Sequence, residues 1–160
     1  MRGNSLVVFG GKSMKIFVIN GPNINMLGIR EPEIYGSKTY NDLEEFILGV
    51  FESAEVTGEI FQSNHEGEII DQIQESLGWA DGIVINPGAY THTSIAIADA
   101  LRAIEIPTVE VHLSDTDKRE DFRKISYVEA VAVKTIKGKG FEGYKEAINF
   151  LAEEWKKADI

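Results

Sequence analysis

Glu110 and His112 are the residues whose types and spacing point most directly to chemistry. They lie two positions apart at the end of an apolar, β-branched stretch, Ile106 to Val111, which predicts a strand. Alternate residues of a strand face the same side, so the carboxylate can orient the imidazole. A histidine held in this way is suited to act as a general acid. A carboxylate–histidine pair that only stabilises the fold is the alternative interpretation.

Tyr35 follows Arg30 by five positions in a polar stretch that runs from Gly28 to Gly36. A phenol with an unperturbed pKa near 10 is ionised to only ~0.1% at pH 7, so a base role needs a pKa about two to three units lower, or ~3 to 4 kcal/mol. A neighbouring guanidinium favours the phenolate and lowers the pKa of the phenol. The stretch has no hydrophobic period and has glycines at both ends, which predicts a mobile lid over the site.

Further polar side chains are predicted to gather at the carboxyl ends of strands. They are Asn23, Asn86, His92, Arg119 and Arg123. In open parallel sheets ligands bind at this edge, and helix N-termini nearby favour anions. Amides in Asn-rich turns are as often structural as functional, and His92 could equally cap the helix that follows it.

Five apolar segments alternate with amphipathic helices and a charged helical turn over 115–124. The strands are predicted at Ile16–Ile19, Gly58–Phe61, Ile83–Ile85, Ile106–Val111 and Val131–Val133. The helices are marked by apolar positions at 43–54, 69–77, 95–101 and 144–155. This alternation predicts an α/β fold with a parallel sheet and helices on both faces. We expect the flavodoxin-like strand order 2-1-3-4-5, with the site at the switch point between strands one and three.

Local signals add detail at three element boundaries. Thr39 with Asp42 resembles a capping box, and Thr91, Thr93 or Ser94 can cap the helix after the third strand. Proline lacks a ladder donor, so Pro107 is expected among the first positions of the fourth strand.

The composition limits the classes of function. The 160 residues suit one globular domain, and a net charge of -10 with a pI near 4.8 disfavours nucleic acid and anionic membrane surfaces as partners. An anionic ligand would therefore need a local cluster of positive groups. The chain has no cysteine, which excludes disulfides and thiolate nucleophiles and is typical of a cytoplasmic protein. No apolar run reaches the ~18 residues of a membrane span.

Other site classes lack their signatures in this sequence. The three histidines have no zinc-ligand spacing, so no metal is expected. Gly-x-Ser-x-Gly, Walker A and dinucleotide-binding motifs are missing as well. Met14 could be a second start, so residues 1–13 are interpreted as an extension or tag and 14–160 as a single catalytic domain.

Six sequence blocks in order resemble those of type II 3-dehydroquinate dehydratases. The blocks are Ile19-Asn-Gly-Pro-Asn-Ile-Asn-Met-Leu-Gly28, Arg30-Glu-Pro with Tyr35-Gly, Gln62-Ser-Asn, Ile85-Asn-Pro-Gly-Ala-Tyr-Thr-His-Thr-Ser94, Glu110-Val-His-Leu-Ser114 and Arg119-Glu-Asp-Phe-Arg123. The resemblance covers nearly everything from Met14 to the C-terminus. It implies a hydro-lyase that converts 3-dehydroquinate to 3-dehydroshikimate by anti elimination of water through an enolate, without a cofactor.

The resemblance also implies a role for each matching residue. Tyr35 would be the base, Arg30 the charge that activates it, and Asn23 the holder of a water against the enolate oxygen. His112 would be the acid, oriented by Glu110. The substrate would be held by Asn86, His92, Asp99, Leu113, Ser114 and Arg123. Asp99 enters through the resemblance alone, since its position in a helix otherwise predicts a solvated carboxylate.

The resemblance further implies an assembly and a metabolic role. The resemblance implies a homododecamer built as a tetramer of trimers, and a role in the shikimate or quinate pathways.

The competing hypothesis is a flavodoxin-like module that binds a nucleotide or flavin and catalyses nothing. The loop after the first strand lacks the Ser/Thr-rich phosphate cradle of such a module, and a receiver domain would need an acidic cluster that this edge lacks. Bound flavin would be visible by absorbance.

Overall fold

A computed structural model describes residues 12–29 and 31–158, and for Tyr35 it describes the backbone alone. Its centre is a five-stranded sheet in the order β2-β1-β3-β4-β5, in which all neighbouring strands are parallel. The strands are β1 Lys15–Asn20, β2 Thr57–Gln62, β3 Gly82–Asn86, β4 Thr108–His112 and β5 Lys134–Lys137. The predicted flavodoxin-like fold class and strand order are confirmed.

In the part of the chain that the structure describes, five α-helices and four short 3-10 helices lie between the strands or, for the last α-helix, after them. The α-helices are α1 Pro32–Tyr35, α2 Tyr40–Ala54, α3 Glu66–Glu75, α4 Ile95–Ile104 and α5 Glu142–Ala158. The 3-10 helices are Ile24–Met26, Gly88–His92, Thr116–Lys118 and Asp121–Arg123. The last two form the charged segment that was predicted to be a helical turn.

The sheet separates two apolar layers, because successive residues of each strand point to opposite faces. Ile16 and Val18 of β1 pack with α2 and α5 on one face. Phe17 and Ile19 pack with α3 and α4 on the other. Every residue of β3 is buried, as expected for a central strand covered on both sides.

Two α-helices begin with capping residues that the sequence predicts. Thr39 and Asp42 form the capping box, in which the Thr39 side chain accepts from the Asp42 N–H at 3.2 Å and the Asp42 carboxylate accepts from the Thr39 N–H at 2.8 Å. Ser94 caps α4 by accepting from the Ile97 N–H at 3.0 Å. Capping by Ser94 fixes the start of α4 at Ile95, after the 3-10 helix that follows β3.

The predicted fifth strand at Val131–Val133 is wrong. The N–H groups of Val131 and Ala132 both donate to the Val128 carbonyl in a turn, and β5 begins at Lys134. β5 is an edge strand in which only Ile136 is buried. The apolar run therefore marks the turn that enters the strand rather than the strand itself.

Two further boundaries differ from the predictions. Pro107 precedes β4, and its carbonyl accepts from the Ile83 N–H at 2.9 Å while the strand begins one residue later. The stretch from Gly28 to Gly36 contains one turn of helix, α1, which starts at Pro32. A proline at the first helical position needs no donor there and has a suitable φ.

Among the residues that the structure describes, no helix has the length and apolar character needed to cross a membrane.

Candidate active site

A cleft lies at the carboxyl ends of β1, β3 and β4, at the predicted switch point. It is lined by Pro22, Asn23, Ile24, Asn86, Gly88, Ala89, His92, His112, Leu113, Ser114, Thr116, Arg119 and Arg123. The loops after β1 and β3 meet closely at its base, where a Cβ on Gly21 would lie 2.4 Å from the Pro87 carbonyl oxygen. Glycine is therefore needed for these two loops to approach each other.

His112 and Glu110 form the predicted pair at this cleft. His112 Nε2 lies 2.6 Å from Glu110 Oε1, and the two residues are 5% and 0% exposed. A carboxylate can only accept, so Nε2 carries the hydrogen of this bond. Nδ1 is then the ring nitrogen that can exchange a proton with a ligand in the cleft.

Three hydroxyl groups hold the Glu110 carboxylate from other segments of the chain. Thr91 and Ser126 donate to Oε1 at 2.5 and 2.7 Å, and Thr135 donates to Oε2 at 3.2 Å. Burial acts most strongly on the pKa of Glu110 and would raise it, but the hydrogen bonds and the charge of His112 together lower it below its ordinary value. Glu110 is therefore ionised at neutral pH and its orientation is fixed.

Glu110→Gln is expected to lower the free energy of unfolding at pH 7 by about 1 to 3 kcal/mol, because a charge-assisted network loses its charge. The folded-state pKa of Glu110 lies below its ordinary value of 4.5. The charge thus stabilises the fold above that value, and this stabilisation is lost as pH falls through the folded-state pKa. Urea unfolding of parent and variant at pH 7 and in steps down to about pH 3 should show the difference shrinking. The exposed Glu153→Gln is the control, and a difference that stays constant with pH would contradict the charge argument.

His92 lies against His112 and is tethered to the segment before β5. The two rings are stacked with centroids 6.5 Å apart and an angle of 18° between planes. His92 Nδ1 is 2.6 Å from the Ile125 carbonyl oxygen, which can only accept, so Nδ1 carries a hydrogen. Burial lowers the pKa of His92, and the charges of His112 and Arg123 act in the same direction. A neutral His92 then offers Nε2 as an acceptor for a ligand hydroxyl, while Ser94 caps the helix.

Asn23 is held in an unusual backbone conformation beside the cleft. Its φ is 69°, in the left-handed region that asparagine tolerates better than most residues. Its N–H donates to Asn64 Oδ1 at 3.0 Å, and Gln62 Nε2 donates to the same oxygen at 3.2 Å and to the Gly21 carbonyl at 3.1 Å. The Gln62-Ser-Asn block thus supports the loop that carries Asn23.

Two arginines bring positive charge to the cleft of an acidic chain. Arg123 donates through Nε to Glu120 Oε2 at 2.7 Å, and its guanidinium lies 5.2 Å from the centre of the Phe122 ring. Arg119 lies 3.9 Å from carboxylate oxygens of Glu31 and Glu120. Both arginine side chains are more than four-fifths buried, and both residues line the cleft. They supply the local cluster that an anionic ligand needs in a chain of net charge -10.

The structure brings most of the predicted site residues together. Asn23, Asn86, His92, His112, Leu113, Ser114 and Arg123 line the cleft. Glu110 lies directly behind His112. Arg30 and the side chain of Tyr35 lie outside the described part of the chain, so their roles stay predictions.

Asp99 is placed elsewhere. It is exposed on α4, does not line the cleft, and accepts from Arg102 Nη1 at 3.0 Å. The cleft of a single chain does not explain how Asp99 would contact the substrate, so this role stays a prediction.

The sequence did not reveal the residues whose hydroxyl groups bond to the Glu110 carboxylate. Ser126 and Thr135 had no signal, because they reach Glu110 from segments remote in sequence. Thr91 was predicted as a helix cap and as one of the polar residues at the end of the third strand, but its bond to Glu110 was not predicted. Within residues 12–29 and 31–158, no group of three or more His, Cys, Asp or Glu side chains could hold a metal ion.

Comparison with known proteins gives a consistent set of relatives. Residues 14–152 match the family described as dehydroquinase class II. A 3-dehydroquinate dehydratase of Campylobacter hominis is 54% identical over 135 residues, which cover 84% of this chain and 87% of that protein. A catabolic 3-dehydroquinase of Aspergillus clavatus is 53% identical over 146 residues, 91% of this chain and 96% of that protein. The crystal structure of a type II dehydroquinase from Butyrivibrio crossotus superposes with a TM-score of 0.86 and 52% identity, covering 88% of this chain and 99% of that one.

Proposed function

Because the chain belongs to the class II dehydroquinase family, we propose that it converts 3-dehydroquinate to 3-dehydroshikimate and water. The observation that supports this most strongly is the His112–Glu110 pair, which lies at a cleft lined by amide, imidazole and guanidinium groups. Such groups suit a small anionic substrate that carries hydroxyls. The reaction breaks one C–H and one C–O bond and changes no oxidation state overall, so acid and base groups are sufficient and no cofactor is required.

The first half of the proposed reaction is removal of a proton from the carbon next to the ketone. Tyr35, as phenolate, takes this proton, and Arg30 lowers the pKa of the phenol. The electron pair of the C–H bond forms an enolate, whose oxygen is stabilised by a water that Asn23 holds. Asn23 lies in the cleft on the well-supported loop after β1, which is consistent with such a positioning role.

The second half is loss of the hydroxyl group beta to the ketone. His112 gives the proton of Nδ1 to the departing oxygen, and the enolate electron pair forms the carbon–carbon double bond as water leaves. Ionised Glu110 stabilises the protonated imidazole before this transfer and keeps the ring oriented. Base and acid act on opposite faces of the substrate, which makes the elimination anti.

The remaining cleft residues hold the substrate in this proposal. Arg123 pairs with the carboxylate, and His92 accepts from a substrate hydroxyl through Nε2. Leu113 and Ser114 follow His112 directly and would donate their backbone N–H groups. Asn86 binds an oxygen atom of the substrate at the end of β3.

The test is to mix the purified protein with 3-dehydroquinate and follow the ultraviolet absorbance of the conjugated enone. We expect the absorbance to rise, at the same rate with and without EDTA, because general acid–base groups suffice. Substrate alone is the control. Absence of the enone would refute the dehydratase, and activity lost in EDTA and restored by zinc would refute the cofactor-free mechanism. An absorbance spectrum with flavin bands would favour the binding module instead.

We further propose a homododecamer, a tetramer of trimers, as the resemblance implies, and a cytoplasmic location, which the absence of cysteine favours. An exposed Asp99 outside the cleft of its own chain would then contact substrate in the cleft of a neighbouring copy. Light scattering should give a mass of about twelve times the 17.8 kDa of one chain. A monomer that retains full turnover would contradict both the assembly and this role for Asp99.

A further inference from the structure

A chain of buried hydrogen bonds runs from Asn86 away from the cleft into the core. The Gly88 N–H donates to Asn86 Oδ1 at 3.1 Å, and Asn86 Nδ2 donates to Tyr144 Oη at 3.0 Å. Tyr144 Oη donates in turn to Asn20 Oδ1 at 2.6 Å. Asn20 and Tyr144 are 0% exposed and Asn86 is 2% exposed. The chain thus links the ends of β3 and β1 to α5 without access to water.

The direction of every bond in this chain follows from its first member. A backbone N–H can only donate, so Gly88 requires the oxygen of the Asn86 amide on its side. The Asn86 nitrogen must then face Tyr144, whose hydroxyl accepts this hydrogen. A tyrosine hydroxyl has a single hydrogen, which remains for Asn20 Oδ1.

The reverse arrangement breaks the pairing of the Tyr144 hydroxyl. If the Asn20 amide were turned, its nitrogen would donate to Tyr144, and the Tyr144 hydrogen would have no acceptor. Within the described residues, Asn20 Nδ2 has no hydrogen bond of ordinary length and angle. Tyr40 is nonetheless its neighbour, since burial raises the pKa of Tyr40 to about 12 and a hydrogen bond from Asn20 acts in the opposite direction. Only the amide nitrogen can donate, so an Asn20 nitrogen on the side of Tyr40 is consistent with an Asn20 oxygen on the side of Tyr144.

Asn86 has one amide hydrogen left after these bonds are made. Asn86 lines the cleft, its oxygen accepts from the Gly88 N–H, and its other amide hydrogen is donated to Tyr144. We propose that Tyr144, backed by Asn20, is a positioning residue that acts together with the Gly88 N–H to fix the Asn86 amide, so that the amide presents an N–H donor to an acceptor oxygen of the substrate. The acceptor is an oxygen of the substrate, and the remaining amide hydrogen cannot itself accept a hydrogen bond from a substrate hydroxyl. This inference rests on the proposed function, since Asn86 must contact substrate for the orientation to matter.

The phenol of Tyr144 stays neutral throughout the working range of an enzyme. Burial raises the pKa of Tyr144 well above its ordinary value, and the hydrogen bond from Asn86 offsets this only in part. Its hydrogen is therefore always available for Asn20, so the orientation of Asn86 does not change with pH.

Tyr144→Phe removes the acceptor that fixes the Asn86 nitrogen. We expect KM for 3-dehydroquinate to rise by about 2- to 12-fold, the range that one neutral hydrogen bond contributes, with kcat changed less than about twofold. In an Asn86→Ala background the same substitution should have no further effect on KM, because no amide remains to be oriented. Ser76→Ala is the matched control. It removes a fully buried hydroxyl that bonds to the Ile73 carbonyl before the amino end of β3, and it should leave KM unchanged.

A purely structural role for Tyr144 predicts a different pattern, in which Tyr144→Phe changes KM by the same factor in both backgrounds. That result would overturn the inference. If Tyr144→Phe does not fold, Asn20→Ala tests the same chain from its other end. It frees the Tyr144 hydrogen to turn toward Asn86, so KM should rise, again only where Asn86 is present. An unchanged KM in Asn20→Ala would also count against the inference.

A second readout separates this inference from the proposed function. Crystal structures of parent and Tyr144→Phe show the Asn86 amide, whose orientation is assigned from its partners. We expect the amide nitrogen on the Tyr144 side in the parent and a turned or doubled amide in the variant. A parent without dehydratase activity would refute the proposed function, whereas an identical amide in both structures with unchanged KM would refute the positioning role alone.

Discussion

His112→Ala is expected to lower kcat by ~10²- to 10⁴-fold, the contribution that a positioned general acid typically makes. The departing hydroxyl leaves as hydroxide if it is not protonated, so the loss falls on the transition state. The bound substrate is held mainly by other groups of the cleft. KM should therefore change far less than kcat, and the measurement is steady-state turnover of 3-dehydroquinate by both proteins.

Substitutions at binding residues provide the contrast for His112→Ala. Asn86→Ala and Arg123→Ala remove groups that line the cleft and are proposed to hold the substrate, so they should raise KM as well. Circular dichroism must show that each variant is folded, since His112 is buried and bonded to Glu110. Turnover of His112→Ala within about threefold of the parent would require another residue as the acid.

The fold was predictable where a strand or helix has a clear signal in residues that are close together in sequence. The run Ile83–Ile85 is apolar and β-branched, and all of β3 is buried. Thr39 and Asp42 are three apart, and both bonds of their capping box are present. Such local signals are strong in parallel α/β proteins, because covered strands and amphipathic helices differ clearly in period.

The edge of the sheet was less predictable for a physical reason. β5 has the sequence Lys-Thr-Ile-Lys and buries only Ile136, so it lacks the apolar run of a central strand. The run at Val131–Val133 lies instead in the turn before it, where Val133 is 57% exposed. A strand with one buried residue has almost no hydrophobic signal, and its position depends on pairing with β4.

The site divides in the same way between local and long-range information. Glu110 and His112 are two residues apart on one strand, so their contact could be predicted from spacing. The hydroxyls that orient Glu110 come from three separate segments, and only the fold brings them together. Position 144 was counted among the apolar positions of the last helix, since the pattern of a helix face does not show whether the buried hydroxyl of Tyr144 finds partners.

Tyr35→Phe is expected to lower kcat by ~10²- to 10⁴-fold, since it removes the proposed base while retaining the ring. The side chain of a polar segment between two glycines contributes little to the core, so the fold should remain intact. Turnover of 3-dehydroquinate and circular dichroism of parent and variant are the measurements. Tyr127→Phe, which removes a phenol hydroxyl from a residue that is 38% exposed and does not line the cleft, is the matched control. Near-normal turnover in Tyr35→Phe would assign the base to another group.

Arg30→Ala tests how the phenol is activated, because it leaves the base in place but removes the charge that favours its ionised form. The pKa of Tyr35 should then rise toward its unperturbed value of about 10, so the phenolate fraction at pH 7 falls and recovers as pH increases. Activity relative to the parent should therefore be low at pH 7 and partly restored toward pH 10, whereas Tyr35→Phe should stay inactive throughout. A guanidinium that only holds the substrate would give a deficit of the same size at every pH. That outcome would transfer the activating role to Arg119, which lines the cleft, and Arg119→Ala should then show the pH-dependent recovery instead.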